Sequence, residues 1–400
     1  MAKVKKGARG QNEGTIRERF RTTKEGKKVS KGWEARYTSD CDAYGKQMQK
    51  SIYGMSRKEV MEKLTKTLNE LNNGTYQAPT KIKVSAWLDT WFEVYKKPTV
   101  KPKTLECYES IIRLHIKPSI GKIILRELKP EQIQKMYNEI GEKLSHRMVE
   151  LTHVTLHAAL EQAMKNDLIF KNISEATTRL KKVKTEPRVL TVDEQQKFVR
   201  AIKGERTEAA FLLDLFSGLR LGEIVALRWK DIDFKNGLLK VNQTLCRVKN
   251  FDENVKGKTI LSFDTPKTEK SKREIPLLNE VVMSLRAHRA RQSTEKLKAG
   301  ELYTDTGLVF CNELGSPIDP RKFTDIFYKL VEKSGIEKAN VHAIRHTFAT
   351  RGLENGIELK VMQELLGHSS IALTADTYSH VLKDKKREAI NKLQSLISAQ

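Results

Sequence analysis

The order of apolar and polar positions changes character twice along the chain. Near the N-terminus, three stretches alternate: GTIRERF, GWEARYT and GKQMQKSIY, separated by turn residues such as Lys24-Glu25-Gly26 and Asp42-Ala43-Tyr44-Gly45. This period of two predicts three short strands. At Ser56 the period lengthens to that of a helix, SRKEVMEKLTKTLNELNNG, with Ser56 as N-cap, Glu59 completing a capping box and Gly74 as the stop. From Val84 the pattern is almost wholly helical: VSAWLDTWFEVYK, TLECYESIIRLHIKPSI, KPEQIQKMYNEIGEK and SHRMVELTHVTLHAALEQAMKNDL, punctuated by Pro98, Pro102 and Pro130. Trp87, Trp91, Phe92 and Tyr95 recur at helical spacing in the first of these, as core residues do. His153 and His157 stand four apart, but no Glu-x-x-His or cysteine partner accompanies them, so they read as core or surface residues rather than metal ligands.

The basic, apolar-poor segment TTRLKKVKTEPRVLT, ending at Thr191, reads as a linker. Beyond it TVDEQQKFVRAI opens a last region, with Thr191 and Glu194 as a second capping box. The expected domains are therefore residues 1–75, a sheet with one helix; 81–180, a helical domain; a linker at 181–190; and 191–400, closed by an amphipathic stretch with Ala389, Ile390, Leu393, Leu396 and Ile397 at helical spacing. The fold class is multidomain, mainly α with small β elements.

Charge then narrows the partner. The chain of 400 residues carries 74 Lys and Arg against 50 Asp and Glu, a formal net charge of +24. Such an excess points to a polyanion, with nucleic acid the first candidate. No run of 18 apolar residues occurs, and the basic N-terminus is not followed by an apolar signal core, which argues against a membrane and for a cytoplasmic protein. Cys41, Cys107, Cys246 and Cys311 are spaced for neither a disulfide framework nor a zinc site. On the N-terminal strands, Arg17, Arg19, Arg21, Arg36 and Lys46 accompany Trp33, Tyr37 and Tyr53, a face suited to a DNA groove or merely to solvent. Lys101 and Lys103 stand near helix ends, where phosphate contacts form.

The candidate chemistry lies in the last region. HAIRHTFAT places His342 and Arg345 on neighbouring points of one helical face, with His346 beside them. ELKVMQELL then stops at Gly367, His368 starts the next segment, and Tyr378 follows in a short amphipathic stretch. Upstream, LLDLFSGLRLGEIVALRW sets Arg220 at a break between two helical patterns, with Glu223 spaced to pair with its guanidinium. Two strand-like runs, GLLKVNQT and KTILSFDT, lead to the turn PKTEKSKRE, which contains Lys267 beside the alternatives Lys270 and Lys272.

Taken in order, the strings SGLRLGEIVALRW, TPKTEKSKREIPL, HAIRHTFAT and LGHSSIALTADTYSH resemble the active site of the tyrosine recombinases, the phage-integrase family. Residues 84 to 180 are similar to that family's helical core-binding domain, and the N-terminal sheet with its helix to the arm-binding domain of integrases from phages and conjugative transposons. Ile344 stands where leucine is commoner between the histidine and the arginine. The resemblance implies a mixed α/β catalytic domain and a site-specific recombinase that integrates and excises a bacterial mobile element. Its roles would be Tyr378 as nucleophile forming a 3′-phosphotyrosyl link, Arg220 and Arg345 clamping phosphate oxygens, and His368 adding a hydrogen bond. Lys267 would protonate the leaving 5′-oxygen and His342 accept the tyrosine proton, with Glu223 and His346 in support. It implies no metal or cofactor, and as partners double-stranded DNA at core and arm-type sites, a tetrameric synapse, an excisionase and a host DNA-bending protein. Two rivals stand beside it: a type IB topoisomerase, which uses a similar tyrosine chemistry but would need no arm-site module, and a catalytically silent DNA-binding regulator on the same fold, against which six filled polar positions argue.

Overall fold

In the computed structural model the described residues are 14–22, 27–41, 47–72, 81–178, 187–252, 257–265, 272–378 and 390. The chain divides into two compact units, one of residues 1–100 and 107–182, the other of Lys101–Glu106 and Val183–Gln400.

The first unit begins with the three strands the alternation predicts: β1 (Thr15–Thr22), β2 (Lys28–Cys41) and β3 (Gln47–Gly54), antiparallel in the order β1-β2-β3. Period two sorts their side chains. Ile16, Trp33, Ala35, Tyr37 and Ile52 face α1 (Arg57–Asn72) and meet its Val60, Leu64, Leu68 and Leu71, which recur along one helical face. The opposite face carries Arg17, Arg19, Glu34, Arg36, Ser51 and Tyr53. Ser56 Oγ accepts the Glu59 N–H at 3.2 Å, as a capping box requires, while the Glu59 carboxylate returns to the N–H of Met55 rather than of Ser56.

The helical part has α2 (Val84–Thr90) running on as a π-turn, Trp91–Lys96; α3 (Pro102–Ile111) with a second π-turn, Ile112–Ile116, leading to α4 (Lys117–Ile120); α5 (Pro130–Lys143); and α6 (His146–Lys165). Trp87, Trp91 and Phe92 are buried, and the Trp87 indole donates to the Ala159 carbonyl at 2.8 Å. His153 is a core histidine, 3.1 Å from the Tyr137 hydroxyl.

The second unit holds α7 (Val192–Ile202), α8 (Glu208–Ser217), α9 (Leu221–Ile224), strands β4 (Ile232–Asp233), β5 (Leu238–Val241), β6 (Thr244–Lys249), β7 (Thr259–Asp264) and β8 (Arg273–Pro276), then α10 (Asn279–Ala299), α11 (Pro320–Ser334), α12 (His342–Glu354), α13 (Leu359–Leu366) and α14 (Ile371–Thr377). The run GLLKVNQT is not one strand. Its first half is β5, sheeted in the order β4-β5-β8, and its last residue starts β6, which pairs with β7. Near the end of the 181–190 segment, Leu190 is buried, its N–H bonded to Thr347 Oγ1 at 2.9 Å, and Arg188 pairs with Glu194. Phe198, Phe211, Phe323 and Phe327 form the aromatic centre of a continuous core drawn from α7, α8 and α11, onto which Ala343 and Ile344 of α12 pack. Lys46, Lys267, Lys270 and the C-terminal stretch, save Ile390, lie outside the described residues.

Candidate active site

Two glycine-terminated helices deliver the backbone of the site. α8 ends at Gly218 and α13 at Gly367, both in the left-handed conformation with φ of 59° and 62°. At Gly218 a side chain is excluded twice, because a Cβ there would also lie 2.4 Å from the Phe348 ring. These stops leave carbonyls at the helix ends pointing inward, and the arginines use them. Arg345, on α12 and only 5% exposed, donates to the carbonyls of Gly218 and Leu366. Arg220, the N-cap of α9, donates to the next carbonyl, Gly367, at 3.2 Å. The two guanidiniums are thus hung from consecutive residues of one helix end, immediately before His368.

Glu223 ties the arginines together. Its carboxylate accepts from the Arg220 N–H (2.9 Å) and Nη1 (3.0 Å), as the sequence spacing suggests, and from Arg273 Nη1 (3.2 Å) and Nη2 (2.9 Å) on β8. Burial alone would raise its carboxyl, but the bonds and charge of Arg273, with those of Arg220, outweigh burial and hold it below its ordinary value. Arg273 is a site residue the sequence reading passed over, although it lies inside the string TPKTEKSKREIPL. Nothing in a strand of alternating polar residues marks which arginine turns inward. Asp214 was missed too: it is buried in α8, one carboxyl oxygen has no hydrogen-bond partner, and burial pushes its carboxyl well above the carboxylate range against the pull of Arg345.

Histidines and the tyrosine complete the cluster. Tyr378 is 1% exposed, packed among Ala349, Leu353, Met362 and Leu366, and its hydroxyl lies 3.0 Å from His346 Nδ1. Burial lifts the phenol to about 12, with Arg345 pulling the other way. His346 is held down to about 4 by burial and by the neighbouring His342 and Arg345. A neutral imidazole therefore faces a protonated phenol, poised to accept its hydrogen bond. The His342 ring sits one step out, its centroid 6.2 Å from that of His346, and is held below its ordinary value by desolvation and by Arg345 and Arg220. His368 Nδ1 lies 2.9 Å from Thr374 Oγ1, and burial together with Arg345, Arg220 and Arg273 brings it to about 4.

The structure thus gathers Arg220, Glu223, His342, Arg345, His346, His368 and Tyr378. The DNA-contact candidates fall elsewhere. Arg17, Arg21 and Arg36 are exposed on the N-terminal sheet, and Arg19 stacks on Tyr53 at 4.8 Å. Lys101 pairs with Asp264 at 3.0 Å and Lys103 with Glu106 at 2.9 Å, so both ammonium groups already have carboxylate partners. In the first unit, His157, Glu161 and Glu175 bring potential ligand atoms within 4.8 Å of one another, a grouping the sequence spacing of His153 and His157 did not suggest. Among the described residues no helix is long and apolar enough to cross a membrane.

Comparison with known proteins bears on the same segments. Residues 188–385 match the model of the phage integrase family, and residues 83–141 that of the N-terminal SAM-like domain of phage integrases. A tyrosine recombinase XerC-like protein of Caldanaerobacter subterraneus subsp. tengcongensis is 35% identical over 368 residues, spanning 89% of this chain and 94% of the relative. Among solved structures, the Tn1549 transposon integrase in complex with a circular intermediate DNA superposes with a TM-score of 0.64 at 24% identity, covering 78% of this chain and 99% of that one. The lambda integrase tetramer bound to a Holliday junction gives a TM-score of 0.55 at 21% identity, covering 86% and 91%. At these identities the two structures speak for the fold.

Proposed function

Because this chain belongs to the phage integrase family of tyrosine recombinases, enzymes that cleave and rejoin DNA strands, we propose that it integrates and excises a mobile element by site-specific recombination, with Tyr378 as nucleophile. The observation that carries this reading is the suspension of Arg220 and Arg345 from the consecutive carbonyls of Gly367 and Leu366, beside a tyrosine already hydrogen-bonded to a neutral histidine.

The chemistry follows from these groups. Tyr378 Oη attacks the scissile phosphorus, a phosphotyrosyl bond forms, and the bond from phosphorus to the 5′-oxygen breaks. The ester keeps the energy of the phosphodiester, so the reverse attack by a 5′-hydroxyl reseals the strand without ATP. The phenolic proton passes first to His346, with His342 next outward. Lys267 supplies the proton to the leaving oxygen. Arg220 and Arg345 offer planar forks to the non-bridging oxygens, where charge grows in the transition state. Arg273 and Glu223 position Arg220, and His368 adds a donor.

The domain assignment belongs to the same proposal: residues 1–75 bind arm-type DNA, 81–180 embrace the core site, 181–190 link, and 191–400 cut. Recombination exchanges two pairs of strands, so four copies assemble on paired sites, as the lambda integrase does on its Holliday junction; an excisionase and a host DNA-bending protein set the direction. A duplex nicked beside the cleavage site tests the nucleophile, because the broken fragment diffuses away and traps the adduct. Wild-type protein should accumulate covalent complex and Tyr378→Phe none. Equal adduct in both would remove Tyr378 from its role, and efficient relaxation of a supercoiled plasmid lacking a cognate site would favour a topoisomerase instead.

A further inference from the structure

The outer face of the N-terminal sheet contains a residue that a simple DNA-adhesive surface would not want. Glu34, at the centre of β2, is 3% exposed on a face otherwise built from Arg17, Arg19, Arg36, Ser51 and Tyr53. Register explains the grouping: Glu34 stands opposite Arg17 on β1 and Tyr53 on β3, and Arg36 stands opposite Ser51. Its carboxylate takes four hydrogen bonds. Arg17 Nε and Nη2 reach Oε2 at 2.8 and 2.7 Å, while Arg36 Nε and Ser51 Oγ reach Oε1 at 3.1 and 2.8 Å. The Arg17 and Ser51 bonds hold the acid at about 2, so it stays ionised at any working pH.

This arrangement has two consequences for what the face can do. One negative charge set between two positive ones weakens the pull on phosphate, which responds to charge and little to geometry. In return, each guanidinium is fixed by one edge and keeps the other for a partner: Arg36 retains both terminal nitrogens and Arg17 retains Nη1, and the two side chains are 46% and 54% exposed. A pre-aimed fork loses little rotamer freedom on docking, and it matches the paired acceptors of guanine in the major groove. With its oxygens already engaged, Glu34 is placed as a scaffold and not itself as a reader.

We propose that Glu34 is a positioning residue for sequence recognition, which holds Arg17 and Arg36 as rigid base-reading forks and at the same time lowers the affinity of the sheet for DNA of any other sequence. The inference rests on the arm-site reading of residues 1–75. Bare electrostatics predicts something different: removing an acid from a DNA-binding face would strengthen binding to every sequence alike and leave discrimination unchanged.

The full-length protein is first used to enrich duplexes from a random pool, and arm duplexes are those retained that never form a covalent adduct. Affinities for an arm duplex and for its scrambled version are then measured across a salt series. Glu34→Gln should bind the scrambled duplex more tightly and with a steeper salt dependence, by about one phosphate's worth. It should meanwhile lose about tenfold in the ratio of arm to scrambled affinity, the size of one bidentate base contact. Arg36→Lys, which keeps the charge and the sheet, should lose discrimination with its salt slope unchanged, and this serves if Glu34→Gln fails to fold. An unchanged ratio in either folded variant, or arm and scrambled affinities rising together, overturns the positioning role. Failure of the wild-type protein to yield a non-covalent duplex class would instead sink the arm-site reading, and this inference with it.

Discussion

Replacing Glu223 by alanine should be among the most damaging single changes in the catalytic unit, and its cost can be worked from four hydrogen bonds. Two come from Arg273, and this pair is dry, the side chains being 6% and 5% exposed. Two come from Arg220, one from its backbone N–H and one from a guanidinium whose side chain is 37% exposed, so the latter is discounted for solvent screening. Leaving the buried Arg273 charge without this carboxylate, although its Nε still donates to the Leu365 carbonyl, costs up to about 3–5 kcal/mol, a large part of the roughly 5–15 kcal/mol that holds a domain together. Glu223→Gln should cost less, because the amide oxygen still accepts from one partner. Urea unfolding of the two variants against wild type, at a pH near 7.5, measures the differences. Activity should fall alongside stability: Arg220 loses the anchor that orients it, and a displaced oxyanion donor costs up to about 10²- to 10³-fold in rate. Single-turnover adduct formation under conditions where both variants remain folded reads that effect separately. A loss below about 1 kcal/mol in Glu223→Ala would show that Arg273 finds water or another acceptor, and the argument from burial would fail.

Two further outcomes follow from the same geometry. His346 and His368, held at about 4, remain neutral in the folded protein where unfolded histidines begin to protonate, near 6.5. Their contribution to stability is therefore complete above about pH 6.5 and is lost as pH falls towards 4, with a slope of up to roughly 1.4 kcal/mol per pH unit for each. Asp214, raised by burial, slopes the opposite way, so the difference between wild type and His346→Asn isolates the histidine; parallel stability curves between pH 6.5 and 5 would refute the assignment. Gly218→Ala should destabilise by about 1–3 kcal/mol through its left-handed backbone alone, and further through the 2.4 Å approach to Phe348. A thermal scan showing an unchanged midpoint would mean that α8 can end differently without moving the Arg345 anchor.

Local chemistry made much of this architecture legible before any coordinates. Ser56, Thr191, Gly218 and Gly367 act within a few residues of themselves, and all four end or begin helices where their types demand. Alternation placed the N-terminal strands for the same reason, since their pairing is sequential. What stayed hidden depends on long-range partners. Asn242 and Gln243 break the run GLLKVNQT because Asn242 bonds Asp231 and Gln243 bonds the Ala226 carbonyl, and no window of neighbouring residues contains either fact. Arg273 and Asp214 were invisible likewise: an arginine in a polar strand and an acid in an apolar helix acquire meaning only when α8, α12 and β8 converge. The resemblance implies His342 as acceptor of the tyrosine proton; the hydrogen bond to the Tyr378 hydroxyl is made by His346, one helical turn further along α12, and no string of residues marks that long-range pairing.

The charge balance of the cluster gives the strongest physical reason to expect a phosphate there. Arg220, Arg273 and Arg345 bring three guanidiniums together, and Glu223 supplies one fully engaged carboxylate. Asp214 adds little countercharge, because burial favours its neutral form. Burial first, and then the excess of cations, brings Arg345 down to about 9 with Arg220 and Arg273 contributing, and each of the three histidines is depressed by burial and further by Arg345. A structural salt-bridge network would have balanced its charges. A phosphodiester placed between Arg220 and Arg345 would relieve the excess, raise the affinity of His346 for a proton, and so make the imidazole a better base towards Tyr378, the proposed nucleophile. Substrate binding and activation of the nucleophile would then be one electrostatic event. On that reasoning, inorganic phosphate or vanadate added to the free protein should raise the His346 titration midpoint above about 4, by an amount NMR of the ring resolves. A midpoint that does not move while the anion binds would separate the arginine clamp from the histidine and leave the proton to another acceptor.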